Sequence, residues 1–128
     1  MGNPAARQGH RIVALDMHLI QPPGPTSPIM TPHPFNGIID SAVSENVRIG
    51  GSPAATVGSN ATNTPPHIPI GGTFVTPPTN RSTIMAGSKT VTINGQAAAR
   101  AGDRAQTCDD THQIGGTVVA IGTVTIGG

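Results

Sequence analysis

Five histidines and one cysteine are the residues of this chain best suited to hold a soft metal ion: His10, His18, His33, His67, His112 and Cys108. Their spacing is regular. His18 lies nine residues after Gly9 and His67 nine after Gly58, while Cys108 and His112 lie six and ten after Gly102. If the three glycines mark equivalent turns, His18, His67 and Cys108 rise on equivalent loops and converge. His33, in "TPHPF", sits near the end of the first loop and returns toward the same place. Three imidazoles and one thiolate fill a tetrahedral zinc site and leave no position for water, which makes such a site structural. Thiolate with imidazole also selects zinc over magnesium or calcium. His10 is set apart, because it follows Gly9 directly, where the third glycine is followed by Asp103. His112 is the substitute for His18, since it precedes Gly115-Gly116 much as His67 precedes Gly71-Gly72. Spacing leaves that choice open.

The elements that must position these groups are not helices. His67 lies in "NTPPHIPIGG", where Pro65, Pro66 and Pro69 each lack an N–H and clash with a preceding helical turn. Long segments at 11–36, 61–72, 76–87 and 104–116, the first three of them containing prolines, read as loops. Loops of such length are usually functional or disordered, and proline stiffens them by removing unfolded-state freedom.

Between the loops the chain repeats. "NPAARQGH", "SPAATVGSN" and "QAAARAGDR" align on Gly9, Gly58 and Gly102, and "NVRIGG", "TVTING" and "TVTIGG" align on Ile49, Ile93 and Ile126. The second set alternates as strands do, with Val47, Val91 and Val124 expected to point inward alongside the isoleucines. Two motifs recurring three times in the same order predict an all-β, three-sided cone or prism with a pseudo-threefold axis. The units run over 3–51, 52–95 and 96–128 of a single domain covering 1–128. The small alanines suit close approach at the axis. The N-terminal half-unit is expected to close against the C-terminal strand, hiding edges that invite aggregation.

Composition fits a thin-cored fold. The chain has no Trp or Tyr, two Phe, 17 Gly and 13 Pro, so a metal staple would supply what the core lacks. A lone cysteine cannot form an internal disulfide. A formal net charge of +1 offers no basic stripe for nucleic acid. No run of 18 apolar residues is present to span a bilayer as a helix. "MGNPAARQGH" lacks the apolar stretch of a secretory signal and, with Ala6, fails the myristoylation pattern. The sequons at Asn60 and Asn80 are set aside for want of a signal peptide.

"NPAARQG" contains the Pro-Ala-Ala-Arg motif, and the chain resembles the PAAR-repeat proteins, with "SPAATVG" and "QAAARAGD" similar to degenerate further copies. The resemblance spans essentially the whole chain and implies a short β cone capping the trimeric VgrG-like spike of a contractile injection system. Such systems include type VI secretion, phage tails and extracellular phage-tail-like particles. It further implies one structural Zn2+ held at the apex, here by His18, His33, His67 and Cys108, on the pieces "DMH", "PHPF", "NTPPHIP" and "TCDD". One copy per spike trimer, docking through the base, transient contact with a target membrane and effector proteins as cargo are the implied partners. The protein would be made in the bacterial cytoplasm, assembled on the apparatus and delivered outward. Gly127-Gly128 follow the last repeat strand directly, so no fused effector domain is expected. Thr56 in place of the motif arginine, and Gly58-Ser59 and Gly9-His10 in place of Gly-Asp, depart from the pattern.

Two other classes stand beside this one. A small zinc enzyme would need an open coordination position and a base such as Asp109 or Asp110, and four ligands leave no such position. A hydrolase triad lacks its G-x-S-x-G elbow. A free-standing β-repeat binding module or surface adhesin would need an export signal. The expectation is a protein that is not an enzyme.

Overall fold

The computed structural model describes residues 2–128. Among them the chain is all β: β1 (Asn3–Pro4), β2 (Arg11–Gln21), β3 (Ile29–Ser41), β4 (Arg48–Ile49), β5 (Ser52–Pro53), β6 (Asn60–Asn63), β7 (Thr73–Phe74), β8 (Arg81–Ile84), β9 (Thr92–Ile93), β10 (Gln96–Ala97), β11 (Arg104–Gln106), β12 (Gly116–Val119) and β13 (Thr125–Ile126). Strands β2, β3, β6, β8, β11 and β12 form a sheet that closes where β12 pairs back onto β2, with β7 added at the far end of β2. Three two-stranded ladders, β4–β5, β9–β10 and β1–β13, complete the base. The last of these joins the two ends of the chain, with Asn3 opposite Ile126 and Pro4 opposite Thr125.

The threefold pattern is written in backbone hydrogen bonds. Ala6 N–H donates to Ala99 O at 2.9 Å, Ala99 N–H to Ala55 O at 3.1 Å, and Ala55 N–H to Ala6 O at 3.0 Å, closing a triangle. The three alanines are fully buried. A larger side chain there would overpack a site where three backbones meet. Gly9, Gly58 and Gly102 then turn the chain outward at φ of 94°, 95° and 90°, a region glycine enters without steric cost. Their N–H groups donate to Ile39, Ile84 and Val118 carbonyls at 2.9, 2.9 and 2.8 Å. Two apolar clusters follow from this ring. A lower one holds Ala5, Ala54, Ala98, Ile93 and Ile126, and an upper one is built around Ile12, Phe35, Ile39, Ile84 and Val118.

The residue after each glycine has one task in three chemistries. Arg7 N–H donates to His10 Nδ1 at 3.2 Å, Thr56 N–H to Ser59 Oγ at 3.0 Å, and Arg100 N–H to Asp103 Oδ2 at 2.7 Å. The motif needs an acceptor here rather than an aspartate, which accounts for the Gly-His and Gly-Ser departures. His10 does this only when neutral, because a protonated ring has no acceptor nitrogen. Burial and the neighbouring Arg7 charge hold its pKa below the ordinary value of 6.5, and its Nε2 is buried without a partner. A depressed pKa means the unfolded chain takes up the proton first. The contribution is therefore present above about pH 6.5 and lost as pH falls through the lower folded value. The melting temperature of the wild type should accordingly fall between pH 7 and pH 5. In His10→Asp, which keeps an acceptor beside Arg7, that part of the fall should be absent. An identical pH profile in both proteins would exclude His10 as its source.

Two expectations are corrected. Ile93 and Ile126 point inward, but Val91 and Val124 are 36% and 46% exposed. Their carbonyls take the N–H groups of Ala98 and Ala5 at 3.0 and 2.9 Å, which fixes the backbone and leaves the side chains on the rim. The segment read as the first long loop is mostly a hairpin, with β2 and β3 paired from Arg11–Ile38 to Ile20–Ile29. Prolines hid it. Pro32 and Pro34 face Met17 and Leu15 across the ladder. A proline keeps such a place only where an N–H would point away from the partner, so the pair also blunts the outer edge of β3.

Candidate metal centre

Alternation along β2 directs Ile12, Asp16, His18 and Ile20 inward, each at most 1% exposed. Asp16 and His18 therefore share a face, one residue apart in projection. His67 comes from the loop between β6 and β7. Its backbone N–H donates to Asn80 Oδ1 at 2.8 Å, which fixes the loop without regular structure. Cys108 comes from the turn after β11.

These three elements bring four groups together. One ligand atom each from Asp16, His18, His67 and Cys108 all lie within 4.8 Å of one another. Asp16 Oδ2 is 3.0 Å from His67 Nε2, 3.3 Å from Cys108 Sγ and 3.9 Å from His18 Nε2. Cys108 Sγ is 3.7 Å from His18 Nε2. A tetrahedral zinc ion with bonds of about 2.0 Å to N or O and about 2.3 Å to S holds its ligands about 3.3–3.5 Å apart. The observed separations bracket those values, so the donor set fits a zinc-sized ion. The other carboxylate oxygen, Asp16 Oδ1, accepts from the Thr107 hydroxyl.

Electrostatics argue the same way. Burial, followed by the adjacent Asp16 charge, pushes the Cys108 thiol up to about 12. The thiol then donates to Asp16 rather than ionising. A bound divalent cation inverts this order, since a coordinating thiol is deprotonated outright. One carboxylate and one thiolate would balance a 2+ charge, which matters where Asp16 and His18 are fully buried.

Of the expected ligands, His18, His67 and Cys108 are in the group. His33 lies beside it, its ring edge-on to His18 and His67 with centroids 5.5 and 5.7 Å away. Its Nδ1 donates to Thr31 O at 2.9 Å and its Nε2 accepts the Ile70 N–H at 3.2 Å. His112 is exposed in a positive-φ turn outside the group, while His18 is inside it. Asp16 was missed because segment 11–36 was read as a loop. Read as a strand, the piece "DMH" places Asp16 and His18 on one face. Phe74 backs His18 and His33 at 5.5 and 5.3 Å, and Phe35 backs His67 at 5.9 Å.

No curated protein matches the chain. The PAAR motif family matches it over residues 30–111 of 128, a span containing His33, His67, Cys108, the Ala54-Ala55 and Ala98-Ala99 pairs of the alanine ring and two of the three base ladders. With the matching span, the alanine ring and the closed three-sided sheet all in one chain, this protein belongs to the PAAR motif family.

Proposed function

We propose that this protein is the tip of a contractile injection machine, capping a trimeric VgrG-like spike with one copy per trimer. The family supports a spike-tip role. The observation that carries the reading is the alanine triangle, because a single chain that repeats itself around one axis can meet a three-chain spike without a symmetry mismatch. The base offers the docking surface. Val91 and Val124 lie exposed on neighbouring ladders there, and apolar surface of this kind suits a protein partner. Docking should give a complex of one tip to three spike chains by mass measurement. Val91→Glu with Val124→Glu should weaken it at least tenfold, and a cooperative melting transition of the double variant should show that the loss is not one of folding. Unimpaired binding by that double variant would move the interface elsewhere.

The opposite end suits envelope contact. Residues 19–35 and 61–80 contain no Asp, Glu, Lys or Arg, and Ile29, Ile68 and Ile70 are 57%, 73% and 51% exposed there. The role is mechanical. Stiff Pro-rich segments tied to one ion resist unravelling under load, and nothing in the reading calls for catalysis.

In this reading the ion is one structural Zn2+ held by His18, His67, Cys108 and Asp16. A second reading puts His33 in the place of Asp16. It is favoured by the Nδ1–H bond to Thr31 O, which leaves the ring's lone pair on Nε2, and it requires that lone pair to exchange the Ile70 N–H for the ion. Zinc affinity separates the two: Asp16→Asn should bind at least tenfold more weakly than His33→Gln under the first reading, and the order reverses under the second.

A further inference from the structure

The turn bearing Cys108 is fastened to β2 by two carboxylates. β2 pairs with β12 only at Arg11–Val13 and with β7 only at Ile20–Gln21. Between them, the edge at Met17 and Leu19 has no strand to take its N–H groups. Asp109 Oδ2 accepts the Met17 N–H at 2.9 Å and Asp110 Oδ2 accepts the Leu19 N–H at 2.8 Å. Asp110 N–H donates back to Met17 O at 2.9 Å. Side chains thus stand in for the carbonyls of a missing strand and set Cys108 in register with His18.

Asp110 has one oxygen left, and it lies 3.2 Å from His18 Nδ1. An ionised carboxylate only accepts hydrogen bonds. The proton of a neutral His18 ring must then sit on Nδ1, which leaves the Nε2 lone pair facing Cys108 Sγ and Asp16 Oδ2. We propose that Asp110 is the positioning residue of the metal centre: it selects the metal-competent tautomer and ring direction of His18 while locking the cysteine turn to β2. Asp109 shares only the locking task. This inference rests on the zinc reading of the four-group cluster, and its test is chosen to fail separately from it.

Asp110→Asn keeps an oxygen for the Leu19 N–H but turns an amide N–H toward His18 Nδ1. The ring then accepts at Nδ1, and its proton moves to Nε2, where it blocks the metal. Nitrogen-15 chemical shifts of His18 in the metal-free protein read this directly, with no metal present. The wild type should show a protonated Nδ1 and a bare Nε2, and Asp110→Asn should show the reverse. Zinc affinity, measured by competition with a chromophoric chelator, should fall about 10–100-fold in Asp110→Asn, the usual cost when a metal-ligating histidine loses the carboxylate on its other ring nitrogen. It should stay within about threefold of wild type in Asp109→Asn. An unchanged His18 tautomer in Asp110→Asn, or an equal loss of affinity in both variants, overturns the proposal. A wild type that binds no zinc would overturn the zinc reading and, with it, the metal role of Asp110, while a His18 tautomer that reverses in Asp110→Asn would still establish its control of the ring.

Discussion

Cys108→Ser should cost the protein its metal-dependent stability. A serine hydroxyl stays protonated at neutral pH and is a poor zinc ligand, so the site would keep His18, His67 and Asp16 but lose its only sulfur donor. Zinc at a thousandfold excess over its dissociation constant stabilises a folded state by about 4 kcal/mol. For a chain of this size that corresponds to roughly 10 °C or more in melting temperature. The wild type treated with a chelator should therefore melt near Cys108→Ser, and the chelator should leave the variant unmoved. The variant also separates metal loss from a packing defect, since serine is close to cysteine in volume and Cys108 is only half-buried.

The second large effect lies one layer toward the base. Phe35 is 2% exposed and is the largest buried side chain in the upper cluster. It fills the space between that cluster and the metal centre, touching His67 on one side and lying so close to Gly37 that a methyl group there would sit 2.7 Å from its ring. Phe35→Ala should cost about 3–5 kcal/mol, the usual loss when a buried aromatic leaves a cavity. Against a typical total stability of about 5–15 kcal/mol, that is a large share for a protein with two phenylalanines and no other large aromatic. Denaturant unfolding should show a lower midpoint with an unchanged slope. Zinc should recover part of the loss, because the ion ties His67 back to β2. A variant as stable as wild type would mean the upper cluster does not depend on this ring.

How much of this was legible in the sequence follows from periodicity. The alanine triangle and the base ladders were, because a motif that recurs three times needs only comparison with itself. The closing of β1 on β13 was legible too, since half-units at the two ends must find each other. The β2–β3 hairpin was not. Its outward positions Val13, Leu15, Met17 and Leu19 are as apolar as its inward ones, so alternation vanishes, and Pro32 and Pro34 imitate a loop. Losing the strand meant losing Asp16, whose position two residues before His18 matters only when side chains alternate. The placement of Val91 and Val124 was misjudged for the opposite reason. Their alternation is regular, but the two-residue strands give them no layer beyond the ring to bury against. Asp109 and Asp110 read as a possible catalytic base in sequence. In the structure their oxygens are engaged by Met17, Leu19, Thr111 and His18, which makes them part of the scaffold.

The central claim is that the loops of this cone are pinned by one closed zinc centre containing Cys108. Zinc-edge X-ray absorption on the purified protein, with the metal content measured on the same sample, tests it most directly. The account requires one zinc per chain, four-coordinate, with a single sulfur at about 2.3 Å and three N or O ligands at about 2.0–2.2 Å. Zinc present well below one per chain, or bound without sulfur, would contradict it.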